Sequence, residues 1–282
     1  MMRPSRPWRA DNWADFLPSA LGYSRPPVDL FAVARHRRIQ HLGLRSMIPR
    51  GLLLPIAGGF ETYLRSSVRR DLDISDVEPL GLLSHRQRFS LAHEIAHTFF
   101  YRLSDAVPSP DGTFSNALEL EKMCDRTAGH ILMPTSLLRR EIGDYERIDA
   151  TVVRSIASKF RTSLTVAIER ISTVEPTNLS ERCVLLARRL QGDAEILALY
   201  FGVGLLRTLP RPSKYTRVSE WIPDFPRLVC DRRDDCDWKI TRMGRSVSFA
   251  KIELRTADEF LIEARVTASP MPSSSYARVA QG

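Results

Sequence analysis

The sequence is poor in cysteine and in long apolar runs. Its four cysteines are scattered over 282 residues, too few and too far apart for a disulfide framework, so we expect reduced thiols. The longest apolar run, Ala194–Leu206, is shorter than the ~18 residues that a membrane helix requires. No apolar segment follows the arginine-rich N-terminus, as it would in a secretory signal peptide. We therefore expect a soluble, cytoplasmic protein.

Positive charge is concentrated at the N-terminal end of the chain. The formal net charge is +8, and residues 1–70 alone carry twelve arginines against four acidic residues. The rest of the chain is therefore neutral. A basic end of this kind favours an acidic partner or nucleic acid by long-range attraction, but arginines at this spacing also form ordinary solvated faces.

The first half of the chain predicts helices on both sides of a segment of short strands at residues 52–80, where short apolar pieces alternate with turn signals. Residues 1–27 are rich in proline and weakly periodic, which predicts a loosely ordered basic arm. A short amphipathic helix is expected within residues 28–39. Longer helices are expected at about 84–102 and 116–132, and Pro134 marks the end of the second.

The second half changes from helical to β character. Residues 154–171 predict two helices joined by a polar turn, as in a helix-turn-helix. Short runs of branched and aromatic residues then predict a β-rich domain over 181–268, followed by a disordered tail at 269–282. Cys230 and Cys236 flank a charged stretch at a spacing that fits no common zinc module, so we predict an exposed hairpin there.

The strongest chemical signal is the sequence HEIAH at residues 93–97. On a helix, the spacing of four brings His93 and His97 to one face, where both imidazoles can bind one ion. Zinc suits this pair because catalytic zinc sites take three protein ligands and keep a fourth position for water. Glu94 then lies beside that water and can accept its proton. Spacing alone leaves a pair of hydrogen-bonded core histidines as the alternative.

A third metal ligand is expected on the second long helix. Glu121 follows His97 by 24 residues and Asp125 comes four residues later, so the two carboxylates share a helix face. This spacing lets Glu121 bind zinc while Asp125 accepts the outer N–H of a ligating histidine and fixes its orientation.

Three other residues on this helix compete for the metal. Glu119 points about 160° away from Glu121, and His130 about 180° away, since each residue turns the helix by ~100°. Cys124 is closer to the right face, but a cysteine in such a position is more often a packed small residue. The spacing therefore favours Glu121 as the third ligand and leaves Cys124 and His130 as lesser alternatives.

Two stretches of the sequence resemble the ImmA/IrrE family of zinc metallopeptidases. RQRFSLAHEIAHTFF at residues 86–100 and EKMCDRTAGHILMP at residues 121–134 follow the pattern of that family in both halves. Weaker similarity extends over residues 28–171. The chain departs from the pattern at three positions of the second helix, which affect its packing rather than the metal ligands: Cys124, Thr127 and Ile131.

The resemblance implies an α+β fold with a zincin-like minimal metallopeptidase domain at residues 28–140. A helix-turn-helix-like segment at 141–180 and a β-rich, GAF-like C-terminal domain would follow. Carried over residue by residue, the zinc ligands are His93, His97 and Glu121, and the catalytic group is Glu94.

The family also implies a partner for the enzyme. Its members cleave helix-turn-helix repressors and thereby induce stress-response or mobile-element genes, so we expect such a repressor as the substrate. The competing hypothesis is a transcriptional regulator that binds DNA directly through residues 154–171 and the basic arm. A sensor protein with a degenerate site is a third hypothesis, which the intact HExxH motif disfavours. Neither a membrane partner nor an oligomeric state is indicated.

Overall fold

The chain folds as a mixed α+β protein, as the sequence predicts. The computed structural model describes residues 8–74, 81–111, 116–174, 182–191, 193–201, 211–221, 238–242, 245–253 and 258–267. Contacts divide the chain into two compact units, Met1–Glu146 with Val152–Val174, and Arg147–Thr151 with Glu175–Gly282. The described helices are all too short or too polar to span a bilayer.

The helices of the first unit account for most of its described residues. They are α1 (Trp8–Ala20), α2 (Leu30–His36), α3 (His85–His97), α4 (Ala117–Leu132), α5 (Thr135–Gly143), α6 (Ala150–Phe160), which begins at the boundary between the units, and α7 (Leu164–Val174).

A four-stranded sheet lies beside these helices in the first unit. Its strands are β1 (Ile39–Arg45), β2 (Gly51–Ile56), β3 (Gly59–Arg65) and β4 (Arg70–Asp73), and a two-stranded ladder is formed by β5 (Tyr101–Arg102) and β6 (Ser109–Pro110). The strand order of the larger sheet is β2-β3-β1-β4, with β1 parallel to β3 and the other pairs antiparallel. Strand β2 is therefore an edge strand.

Helix α3 starts where local sequence dictates and ends earlier than predicted. The Ser84 hydroxyl accepts from the backbone N–H of Gln87, whose side chain accepts from the Ser84 N–H in return, which forms a capping box. The α-helix predicted over 84–102 ends at His97, and Thr98–Phe100 form a 3-10 turn before the chain enters β5. The guanidinium of Arg37 donates to the hydroxyl and the carbonyl of Thr98 at this point.

Helix α4 and the pair α6–α7 form as predicted. Asn116 caps α4 by accepting from the Leu118 N–H, and Pro134 follows its end. Between α6 and α7, Arg161 adopts a positive φ of 52°, which reverses the chain within a few residues. The two helices joined by a turn that were predicted at 154–171 are therefore observed, and their likeness to a helix-turn-helix stays a prediction.

The prediction of a loosely ordered arm at residues 1–27 is wrong for α1. Ala14 and Leu17 are buried, and α1 packs against α4. The Asp15 carboxylate accepts hydrogen bonds from the backbone N–H and the hydroxyl of Thr135, at 2.9 and 2.7 Å. Proline content and weak periodicity did not reveal α1 because these tertiary contacts stabilise it.

The second unit contains the predicted β-rich region. Its five strands form an antiparallel sheet in the order β8-β7-β11-β10-β9, with a short helix α8 (Val218–Trp221). The strands are β7 (Arg182–Leu190), β8 (Asp193–Phe201), β9 (Trp238–Arg242), β10 (Arg245–Glu253) and β11 (Glu259–Thr267). The predicted Cys230–Cys236 hairpin and the tail at 269–282 lie outside the described residues.

Candidate metal centre

Three potential metal ligands converge where α3 packs against α4. The Nε2 atoms of His93 and His97 lie 3.1 Å apart. Oε2 of Glu121 lies 3.1 Å from Nε2 of His93, and Oε1 lies 3.5 Å from Nε2 of His97. Among the described residues, these three side chains form the group that could hold a metal ion.

The spacing of these donor atoms fits a tetrahedral cation. Ligands held about 2.1 Å from a tetrahedral ion lie roughly 3.4 Å from one another. The two Nε2 atoms are 3.1 Å apart, each has a different Glu121 oxygen at 3.1 or 3.5 Å, and one donor atom from each residue lies within 4.8 Å of the other two. The residues present therefore fit a metal of the zinc type.

Asp125 contacts the far side of one of these histidines. Its Oδ1 lies 2.9 Å from Nδ1 of His93. Burial alone lowers the pKa of His93, but the hydrogen bond to Asp125 and the neighbouring carboxylates outweigh burial, so the pKa is raised. With a proton on Nδ1, His93 donates to Asp125 and leaves its Nε2 lone pair free to bind a cation.

Glu94 is the most buried acidic side chain at the centre. It is 6% exposed, on the α3 face next to the two histidines. Burial raises the pKa of the Glu94 carboxyl to about 7; the charge on His93 opposes this effect and that on Glu121 adds to it. A carboxyl group with a pKa in this range can both accept and release a proton near neutral pH.

These side chains line one cavity of about 640 Å³. Helices α3 and α4 form one wall, and edge strand β2 with the loop before it forms the other. Apolar side chains of the wall include Leu52, Leu53, Phe89 and Leu120. The cavity is therefore a cleft with charged groups at its centre and apolar flanks, an arrangement typical of a binding site.

Sequence reasoning missed two features of the cavity, Tyr101 and the β2 backbone. Tyr101 lies in the wall, and its ring meets that of Phe60 edge to face at 5.2 Å. Burial, followed by the charge on Glu94, raises the pKa of Tyr101, so its hydroxyl stays protonated. Tyr101 follows His97 by four residues, a spacing that would place both on one face of a continuous helix. Helix α3 ends at His97, so Tyr101 reaches the cavity from β5 instead.

The three competing residues on α4 are not part of this group of donors. Glu119 is exposed in the first turn of the helix. His130 lies 3.0 Å from the Asp15 carboxylate and 3.1 Å from the Arg170 guanidinium. Cys124 is buried, and burial raises the pKa of its thiol, so the thiolate that metals prefer is disfavoured.

Comparisons with known proteins agree with the resemblance seen in the sequence. Residues 82–172 match the family model described as the IrrE N-terminal-like domain, Peptidase_M78. No curated protein matches the chain. A solved structure described as a Mycobacterium tuberculosis transcriptional regulator is similar at 12% identity and a TM-score of 0.47, over 91% of this chain and 74% of its own. Similarity at that level supports no conclusion about function.

Proposed function

We propose that this chain, which belongs to the ImmA/IrrE family through its IrrE N-terminal-like domain, is a zinc-dependent endopeptidase that cleaves a partner protein. The main support for this proposal is the arrangement of His93, His97 and Glu121 around one point, with Glu94 buried beside it. The match to a peptidase family at residues 82–172 supports the same reaction class. Within this proposal the site is of the gluzincin type, with an acidic third ligand.

Each side chain has a defined task in the proposed hydrolysis. A zinc ion at the three donors would supply Lewis acidity to a water molecule and to the scissile carbonyl. Glu94 accepts a proton as the water oxygen bonds to the carbonyl carbon, and returns it to the amide nitrogen as the C–N bond breaks. The Tyr101 hydroxyl donates to the carbonyl oxygen as negative charge develops there. Asp125 keeps His93 in the ligating tautomer.

Strand β2 supplies a surface for the substrate backbone. Among the described strands it lies at the edge of its sheet and pairs with β3, and its residues Leu52 and Leu53 line the cavity. An extended peptide can add to such an edge through main-chain hydrogen bonds, which bring its carbonyl groups toward the site whatever their side chains. This feature supports cleavage within a chain rather than at its end.

The proposed substrate is a helix-turn-helix repressor whose cleavage induces stress-response or mobile-element genes. The resemblance of residues 86–100 and 121–134 to enzymes with such substrates supports this assignment. The β-rich second unit is proposed to sense a signal in the manner of a GAF-like domain. Selectivity of this kind is needed because an unrestrained endopeptidase inside a cell would degrade many other proteins.

Direct DNA binding through residues 154–171 is not favoured by the side chains of α7. Arg170 is the only arginine or lysine of that helix, and it is 5% exposed. Its guanidinium donates twice to the Met133 carbonyl, at 3.1 and 2.9 Å. A side chain held inside in this way is unavailable to phosphates or base edges.

A proteolysis assay tests the proposed function. Purified protein is incubated with casein and with helix-turn-helix repressors of the source organism, with and without a chelator. We expect cleavage of one repressor at one bond, abolished by the chelator and by Glu94→Gln but retained in the matched variant Glu119→Gln. Digestion of casein without preference for any repressor would reject the proposed substrate, and absence of all cleavage in the zinc-loaded protein would reject the enzyme.

A further inference from the structure

Arginines gather at one end of the first sheet. Arg45 and Arg65 are paired across β1 and β3, and Arg70 begins β4 opposite Leu44. The backbone N–H of Arg65 donates to the carbonyl of Arg50 at 3.0 Å, which places the loop before β2 at the same end. Arg69 directly precedes Arg70 in the turn between β3 and β4.

Among the described residues, one of these five arginines has an acidic partner. Arg45 is paired with Asp71 at 2.5 Å. The other four arginines are exposed, and within the described residues none of them forms an ion pair with an acidic side chain. The only acidic residue between Ser46 and Arg70 is Glu61. It lies four residues from Arg65 along β3, about 13 Å away in an extended strand.

Two aliphatic side chains stand among these arginines. Ile48, in the loop between β1 and β2, is 91% exposed, and Val68, in the turn between β3 and β4, is 61% exposed. An Nη1 atom of Arg65 lies 3.5 Å from the Ile48 carbonyl. We define the arginine face as Arg50, Arg65, Arg69 and Arg70 together with Ile48 and Val68.

The arginine face is continuous with the cleft. Pro49 and Arg50 line the cavity that holds Glu94 and the proposed ligands, and β2 leads from them along the cavity wall. A polypeptide bound on the arginine face therefore continues into the cleft along the same edge strand.

The arginine face combines positive charge with exposed aliphatic side chains, and this combination indicates which class of molecule can bind there. Nucleic acid offers phosphates to the arginines, but single strands stack on aromatic side chains and duplexes leave aliphatic groups without partners. An acidic segment of a protein that also carries aliphatic side chains satisfies both parts of the surface.

We infer that the arginine face is a docking site for an acidic, aliphatic segment of the substrate protein, adjoining the bond to be cut. This inference rests on the proposed function and specifies which proteins the enzyme selects. It assigns a role to part of the positive charge of residues 1–70, which the catalytic centre does not use.

A binding assay that does not require hydrolysis tests this inference. The probe is a short fluorescent peptide of alternating glutamate and leucine, titrated with the full-length Glu94→Gln chain so that it stays intact. The test variant adds Arg65→Glu, Arg69→Glu and Arg70→Glu. The matched control makes the same change of charge at exposed arginines outside the face: Arg86→Glu, Arg139→Glu and Arg154→Glu.

We expect the test variant to bind the probe at least about tenfold more weakly, and the control to bind it as the parent does, with affinity that falls as salt is added. Ile48→Ser, which changes no charge, should also weaken binding of the probe. If the triple variant does not fold, unchanged affinity of Ile48→Ser for the probe would overturn the docking site. A peptide of alternating glutamine and leucine should bind weakly to all of them.

Three results would overturn the docking site. They are equal affinity for the peptide in parent and test variant, equal losses in test and control variants, and, when a short oligonucleotide is titrated in place of the peptide, a loss of oligonucleotide binding in the test variant while peptide binding persists. None of these results bears on hydrolysis by Glu94. Conversely, a chain that cuts no protein could still bind the probe. Failure of the proposed function can therefore be distinguished from failure of the docking site.

Discussion

A Cβ atom on Gly51 would lie 2.1 Å from Oε1 of Glu94. The backbone of β2 therefore passes over this carboxylate so closely that only glycine fits without a shift of the glutamate. Because Cδ and Cγ of Glu94 would lie at 2.8 and 2.9 Å, rotating the carboxylate alone does not relieve the contact. The proposed peptide-binding edge thus also fixes the position of the proposed base.

Gly51→Ala should disturb catalysis without removing the metal. The added methyl group displaces Glu94 from its place beside the histidines, and we expect turnover to fall at least about tenfold. Zinc content, measured by elemental analysis, should be unchanged. The matched control is Gly143→Ala, since a Cβ atom there would have nothing within 4 Å. A fully active Gly51→Ala enzyme would show that the contact does not set the position of Glu94.

Asp125→Asn should weaken metal binding. The amide cannot stabilise the His93 N–H as a carboxylate does, so we expect zinc affinity to fall about 10- to 100-fold in a chelator competition. Glu119→Gln, on the same helix, should bind zinc like the unmodified protein. If both variants keep full affinity, Asp125 has no part in orienting His93, and if only Glu119→Gln loses zinc, the ligand set is wrong.

Tyr101→Phe should lower kcat more than it changes KM. Removing the hydroxyl removes a donor that acts only as charge develops on the carbonyl oxygen, so kcat should fall about 10- to 100-fold while zinc binding persists. The control is Tyr63→Phe, whose hydroxyl bonds Glu61 and lies outside the cavity lining. A change confined to KM would assign Tyr101 to substrate binding instead.

Asp15→Asn should reduce stability in a pH-dependent way. Burial raises the pKa of Asp15, but hydrogen bonds from His130 and Thr135 outweigh it, so the pKa lies below its ordinary value of 3.8. A lowered folded-state pKa gives stability above pH 3.8 that is lost as the pH falls through the folded value. Urea unfolding should show a deficit of about 1 to 2 kcal/mol at neutral pH.

The deficit of Asp15→Asn should shrink on acidification, because the wild-type carboxylate then becomes protonated as well. Asp144→Asn is the matched control, since Asp144 is exposed at the end of α5. An equal deficit for Asp15→Asn at every pH would mean that packing, rather than charge, is what Asp15 contributes.

Local sequence was enough to predict the helices that carry the site. The capping residues Ser84 and Asn116, the spacing of His93 and His97, and Pro134 are signals within a few residues of the features they set. Helix α4 therefore appears at its predicted bounds, whereas α3 starts where predicted but ends at His97 rather than at residue 102. The structure brings His93, His97 and Glu121 together, as the shared faces suggested.

The remaining features depend on residues distant in sequence. Helix α1 is stabilised by the contact of Asp15 with Thr135, 120 positions away. At the early end of α3, the Thr98 hydroxyl accepts from Arg37, which is 61 positions away in the sequence. The place of β2 beside Glu94 follows from strand order. The pattern of apolar residues over about 11–18 neighbouring positions, from which helices and strands are predicted, does not contain these long-range contacts.

The most direct test of the account measures zinc content and cleavage of the same substrate on the same samples of wild-type protein and Glu94→Gln. We predict about one zinc per chain in both proteins, with cleavage by the variant slower by about 10² or more, and loss of wild-type cleavage on chelation with recovery on return of zinc. Cleavage at the wild-type rate by zinc-loaded Glu94→Gln, or by metal-free wild-type protein, would contradict the account.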